Sequence, residues 1–143
     1  MDEFPLVRLD LRAPLFFNET PDLKPFDCSF PQDESGRELL FCFELDREQA
    51  ASIEPAEDCF PGRLVFAAVH GQSDGTAGNV RLPAGLYLFA QRRGALKREE
   101  CVRMAIEQQM DGLWERLKPG SRLYIRYLFE DGSPVTQLFR PIS

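Results

Sequence analysis

The stretch "LYIRYLFEDGSPVTQLFRPI", residues 123–142, predicts two β-strands joined by a tight turn. Asp131 and Gly132 are a strong signal for a two-residue type I′ turn, and such a turn fixes which residues of the two strands lie opposite each other. The predicted pairs are Leu128 with Val135, Arg126 with Gln137, and Tyr124 with Phe139.

This hairpin has large apolar side chains on both of its faces, because side chains alternate along a strand. One face would carry Ile125, Tyr127 and Leu138, and the other Tyr124, Leu128, Val135 and Phe139. A single helix can cover only one face. The second face must meet another layer of the same chain, a partner chain or a ligand, and we expect another layer of the same core.

Residues 97–117 predict a helix, because apolar side chains recur there at spacings of three and four. This apolar stripe consists of Val102, Ala105, Ile106, Met110, Leu113, Trp114 and Leu117. Further strands are predicted at 37–46, 62–69 and 84–91. The predicted fold class is therefore α+β: one mostly antiparallel sheet with the long amphipathic helix 97–117 packed on one face.

The N-terminal part is less regular. "PLVRLDLRAPLFF", residues 5–17, predicts a first strand that Pro14 interrupts. Residues 13–36 are rich in proline and phenylalanine, and we interpret them as an irregular segment within a single domain, 1–143. Residues 46–53 favour one or two helical turns, and residues 70–79 a loop rich in glycine and small polar residues.

The composition is that of an acidic globular protein of 143 residues, with 43% hydrophobic residues, a net charge of −6 and a pI near 4.9. Generic binding to nucleic acid or to anionic lipid needs a sustained basic surface, so neither is expected. No apolar stretch has the length of a membrane span, and acids occupy the N-terminus where a signal peptide has basic residues. We therefore expect a cytoplasmic protein that does not enter membranes.

The chain has four cysteines and one histidine, and their spacing argues against a metal centre. Structural zinc needs ligands paired at short spacing, which these residues lack, so no metal or other cofactor is expected. Four reduced thiols are the simpler interpretation, and apolar surroundings predict burial for two of them. The cysteines are Cys28 and Cys59, and the two with predicted burial, Cys42 and Cys101.

Catalytic motifs are weak. His70 lies near Ser73 and Asp74, but residues this close together on a flexible loop rarely form a productive triad. Acid–base chemistry has two candidate carboxylate pairs, but acids in turns usually serve the turn. These pairs are Glu130 with Asp131, and Glu44 with Asp46.

The order "LPAGLYLFAQ", a helix ending in "DGLWERL", "RLYIRY" and a closing "FRPI" resembles the C-terminal half of the gyrase inhibitor-like effector-binding domain, over residues 82–142. The resemblance implies a βαββ-type half at 82–142 and a cleft that binds small, often cationic or aromatic, molecules. Some members of that family are hydrolases. The family commonly has a glutamate two residues before the tyrosine of the third motif, where this chain has Arg122. The matching residues are Pro83, Ala84, Gly85, Tyr87, Trp114 and Tyr124.

Three functional hypotheses follow. The first is a non-enzymatic domain for a small aromatic or cationic ligand, with an aromatic wall and Arg126 as an anchoring charge. The second is a protein-interaction module without a ligand pocket, which binds a second copy or another protein through a basic run or through the Phe/Pro-rich arm around Phe26 and Phe30. The third is a small hydrolase. The predicted wall is Tyr87, Trp114, Tyr124 and Tyr127, and the basic run is Arg92, Arg93, Lys97, Arg98 and Arg103.

Overall fold

A computed structural model describes residues 8–19, 38–46, 62–70, 80–94, 96–114, 121–130 and 132–142, with side chains for all of these except residues 70 and 109–114. These residues form eight strands and one helix. The strands are β1 (Arg8–Leu11), β2 (Leu15–Glu19), β3 (Leu39–Glu44), β4 (Arg63–His70), β5 (Val80–Leu82), β6 (Gly85–Arg93), β7 (Arg122–Glu130) and β8 (Ser133–Pro141), and the helix is α1 (Arg98–Trp114).

All eight strands belong to one antiparallel sheet with the order β1-β6-β8-β7-β3-β4-β2-β5. The hairpin β7–β8 confirms the predicted register, since Leu128 lies opposite Val135 and Tyr124 opposite Phe139. Glu130 lies opposite Ser133, which leaves a two-residue connection, and Gly132 in it has a φ of 80°. A positive φ is a conformation that glycine adopts at little cost.

The sheet must curl, because short connections join its two ends. β1 and β2 lie six strand spacings apart in the order, which is roughly 29 Å in a flat sheet. Residues 12–14 alone join these strands, and the Cα atoms of Leu11 and Leu15 can be at most about 15 Å apart. Residues 83–84 likewise join β5, at one end of the order, to β6 near the other. The sheet therefore rolls round until its ends approach each other.

The curled sheet has an inner and an outer face, each with its own apolar cluster. The inner cluster contains side chains from seven of the strands, and half-buried residues of β1 pack against it. Contributions from every strand are what a rolled sheet produces when its concave face closes on itself. The buried members of the inner cluster are Phe17, Leu40, Cys42, Ala68, Leu82, Tyr87, Tyr124 and Phe139.

The outer cluster lies on the convex face and includes the first turns of α1. Its helical members are Cys101, Val102, Met104 and Ala105, and its strand members include Ile125, Tyr127 and Leu138. The buried amide of Gln108 donates from Nε2 to the carbonyl of Leu138, 3.1 Å away, and ties the helix to β8. The two faces of the hairpin β7–β8 therefore contact two different parts of one chain, as the alternation of its side chains predicted.

The predicted fold class is wrong beyond its antiparallel sheet. The described chain is mostly strand, and its one helix is short, contacts mainly β6 and β8, and covers only part of the outer face. Among the described side chains of α1, those buried in the outer cluster are Cys101, Val102, Met104 and Ala105, and the polar Gln108 is buried as well. The sheet is therefore not covered by the long amphipathic helix that was predicted at 97–117. The C-terminal strands are also not a separate βαββ half, because β6 pairs with β1 and β7 pairs with β3.

The N-terminal predictions have mixed outcomes. A break at Pro14 is confirmed, since the chain leaves β1 before it and enters β2 after it. The predicted start of the irregular segment, residue 13, is too early, because residues 15–19 form β2. The rest of that segment beyond residue 19, the turns after residue 46 and the loop 71–79 lie outside the described residues. No described helix is long and apolar enough to cross a bilayer.

Candidate functional site

Two residues of the predicted aromatic wall, Tyr87 and Tyr124, lie together inside the curled sheet. Their ring centroids are 6.2 Å apart, and Tyr87 also contacts Phe139 edge to face. The Tyr87 hydroxyl donates to the carbonyl of Pro83. The two tyrosines are only 2% and 3% exposed, so neighbouring side chains take up the ring surfaces that would stack on a ligand.

Arg126 lies on the same face, farther along β7, and is already paired. Its guanidinium donates from Nε and Nη2 to Oε2 of Glu38, at 3.2 and 2.8 Å, and from Nη1 to Gln137. Gln137 in turn donates to Gln91 on β6. These hydrogen bonds connect β7, β8 and β6 with Glu38, the residue before β3, so the Arg126 guanidinium is already paired within the sheet.

Tyr127 lies on the opposite face of β7 from Tyr124. Its hydroxyl donates to the carbonyl of Leu96, 2.9 Å away, and lies 3.7 Å from the Cys101 thiol. The structure therefore separates Tyr127 from the other predicted wall residues and uses it to hold the turn between β6 and α1. The side chain of Trp114 lies outside the described residues.

None of the described candidate carboxylates is buried. Glu44 accepts from Arg63 at 2.9 Å and lies 3.8 Å from Arg122. Asp46 and Glu130 are exposed. Two ion pairs on Glu44 favour a structural role for it, since a general base needs access to the proton that it removes.

Burial of Cys42 and Cys101 is confirmed, and both are free thiols. Burial raises the pKa of Cys42 to about 11 against the opposing effect of Arg122, and burial raises the pKa of Cys101 to about 12. An apolar environment disfavours the charged thiolate, which is the reactive form.

Alkylation of these two thiols in the folded protein should therefore be slow and should depend on pH over an unusual range. Because their folded pKa values lie above the ordinary 9.0, the thiolate fraction in buffer should still be rising at pH 11, whereas in urea the rate should be half-maximal near pH 9 and level off about one pH unit above it. Iodoacetamide labelling with peptide mapping measures both profiles. Equal profiles in buffer and urea would contradict the burial of these side chains.

The described surface has a groove where the end of β6 runs beside α1. It encloses about 270 Å³ and is lined from the strand side by Arg92 and Arg93. Residues at helical spacing line it from α1, since side chains three and four positions apart share a face. These helical residues are Glu100, Arg103, Met104 and Glu107, and Leu96 of the connecting turn completes the lining.

The groove carries three guanidinium groups and two carboxylates, and one pair of them is joined. Arg92 donates from Nη2 to Oε2 of Glu107, 3.1 Å away. Glu100 accepts a long bond from the backbone N–H of Lys97, which caps the start of the helix. Among the described residues, no ion pair joins Arg93 or Arg103 to an acid, and both are exposed.

A network of hydrogen bonds holds the turn that shapes this groove. Thr136 Oγ1 donates to the carbonyl of Gly94 at 2.7 Å and accepts from the N–H of Leu96 at 3.0 Å. The N–H of Gly94 donates to the carbonyl of Pro134, and the φ of Gly94 is 98°. The strand side and the helix side of the groove are therefore fixed relative to each other through β8.

The basic run in the sequence includes three of the groove residues but did not reveal the groove itself. Arg92, Arg93 and Arg103 are brought together because the chain reverses between β6 and α1. The apolar lining, Leu96 and Met104, was missed because a leucine in a turn and a methionine on a helix have no distinctive pattern. Only the tertiary contact between strand and helix combines these residues.

Comparison with known proteins identifies no relative. No family model, curated protein or solved structure matches the chain. The resemblance to the gyrase inhibitor-like domain therefore stays a prediction, and any functional proposal has to rest on the geometry of this chain.

Proposed function

We propose that this protein is a non-enzymatic binding domain whose site is the groove between β6 and α1 and whose ligand is anionic. The observation that carries the proposal is the convergence of Arg92, Arg93 and Arg103 on one groove in a protein of net charge −6. Guanidinium groups present several donors in a planar fork that matches carboxylates and phosphates. An anion there would gain charge-assisted hydrogen bonds from Arg93 and Arg103.

The groove supports binding better than the predicted aromatic wall does. Tyr87 and Tyr124 are packed against other rings, and Tyr127 lies on the other face of the sheet. Arg92 and Glu107 form an exposed ion pair, and such pairs contribute about 0–1 kcal/mol. A ligand carboxylate can therefore displace Glu107 from Arg92 at little cost.

The test is a titration with citrate, a compact carrier of several carboxylates, at constant ionic strength. Amide resonances at the end of β6 and in the first turns of α1 should shift and saturate. Because hydrogen bonds to charged groups contribute roughly 1.5–3 kcal/mol each, the double variant Arg93→Gln/Arg103→Gln should bind at least about tenfold more weakly.

The matched control is Arg81→Gln, which removes an exposed arginine on β5. This variant should bind citrate as the wild type does, because Arg81 does not line the groove. If citrate produces no saturable shift, or if the double variant titrates like the wild type, the proposed function is wrong.

A further inference from the structure

We infer that the occupant of this groove is an extended acidic segment of another protein, with one apolar side chain between its acids. The inference rests on the proposed function and specifies the ligand of the same site. It is carried by the arrangement of charge and apolar surface in the groove, in which basic and acidic groups alternate above an apolar floor.

The floor of the groove is apolar. Met104 belongs to the outer cluster, and the half-buried Leu96 packs against that cluster. The half-buried Leu96, next to the exposed arginines, offers a contact for an aliphatic side chain that a purely ionic ligand such as phosphate would leave unused, whereas Met104 is only 2% exposed and adds little surface. An occupant that matches this site has an apolar residue as well as negative charge.

The rim on the helix carries both signs of charge. Glu100, Arg103 and Glu107 follow each other along α1 at spacings of three and four, so an acid lies on each side of Arg103. A compact polyanion such as citrate can pair with the arginines, but it would also lie close to both carboxylates, and their repulsion should keep its affinity below that of an extended acidic peptide. An extended peptide places its carboxylates one by one on Arg93 and Arg103, and its backbone N–H groups can donate to the two acids.

The size of the groove favours the same occupant. Its volume of about 270 Å³ is slightly below the roughly 300–1,000 Å³ of clefts that enclose small molecules. The groove therefore fits one or two side chains of a longer chain that continues along the surface. The exposed Arg93 and Arg103 favour an occupant with negative charge over an uncharged one, because opposite charges across an interface favour the matching partner.

Three five-residue peptides test the inference by calorimetry against the intact protein. The first has a leucine flanked by two glutamates on each side, the second replaces the leucine with serine, and the third replaces the glutamates with glutamines. The leucine peptide should bind about tenfold more tightly than the serine peptide, because contact with the floor buries part of an aliphatic side chain. The glutamine peptide should not bind measurably.

The variant Leu96→Ala supplies the structural control. It keeps the backbone hydrogen bonds of Leu96 with Thr136 and Tyr127 and removes only the Leu96 side chain from the floor. In this variant the preference for leucine over serine should shrink. In one outcome, citrate binds through Arg93 and Arg103 while the leucine and serine peptides bind equally or not at all. That result would overturn the inference of an acidic segment and leave the proposed function standing. Absence of both citrate and peptide binding would overturn both.

Discussion

Replacing Phe17 with alanine should lower the free energy of unfolding by about 3–5 kcal/mol, the usual cost of deleting a phenylalanine from a packed core. Phe17 on β2 is 0% exposed and belongs to the inner cluster, together with residues from strands at both ends of the sheet order. The alanine variant would leave a cavity where β2 closes the curled sheet between β4 and β5. Urea denaturation followed by circular dichroism measures the loss.

The neighbouring Phe16 is the matched control. It has the same side chain on the same strand but points to the opposite face and is 41% exposed. Phe16→Ala should cost less than about 1 kcal/mol, as is usual for exposed positions. Equal losses for the two variants would mean that β2 does not line an enclosed inner face, and the rolled arrangement of the sheet would then be wrong.

The sequence predicted the hairpin β7–β8 down to its register because all of the information is local. A turn with aspartate and glycine fixes the pairing, and alternation then assigns Tyr124 and Ile125 to opposite faces. Pro14 was likewise readable as a break, since it lacks the N–H that a strand ladder needs. Local signals of this kind depend on the chemistry of one or a few residues.

The way in which the sheet closes could not be read, because it depends on pairings between distant segments. β6 pairs with β1 across almost eighty residues of chain, and nothing in "RLDL" specifies that partner. The sequence predicted that the helix 97–117 covers one face of the sheet. In the structure the inner cluster consists of strand residues, because the curled sheet packs against itself there, and α1 contributes to the outer cluster. A sequence shows that two apolar faces exist, but tertiary structure decides what each face contacts.

The candidate site shows the same division between local and long-range information. The basic character of Arg92, Arg93 and Arg103 was apparent, whereas the groove depends on how the chain turns between β6 and α1. The described residues of the predicted aromatic wall are divided between two faces of the sheet for a different reason. Tyr124 and Tyr127 lie three positions apart on a strand, and an odd spacing places side chains on opposite faces. Strand alternation alone is therefore sufficient to separate these two residues.

Replacing Thr136 with valine should destabilise the protein by about 2–4 kcal/mol, although the two side chains have nearly the same shape. Thr136 is fully buried, and its hydroxyl bonds both the carbonyl of Gly94 and the N–H of Leu96. Valine would leave these two backbone groups without that partner, and an unsatisfied buried polar group costs about 1–3 kcal/mol. Urea denaturation monitored by circular dichroism gives the change.

Thr136→Ser separates the effect of the hydroxyl from that of the methyl group. Serine keeps both hydrogen bonds and removes one buried methyl, so it should cost only about 1 kcal/mol. The valine variant should also weaken citrate binding, because Leu96 lines the groove and the turn that carries it would lose its attachment to β8. If valine is tolerated better than serine, packing alone holds the turn and the hydroxyl does not position the groove. If valine destabilises the fold but citrate affinity is unchanged, the strand and helix sides of the groove are aligned by the outer cluster rather than by Thr136.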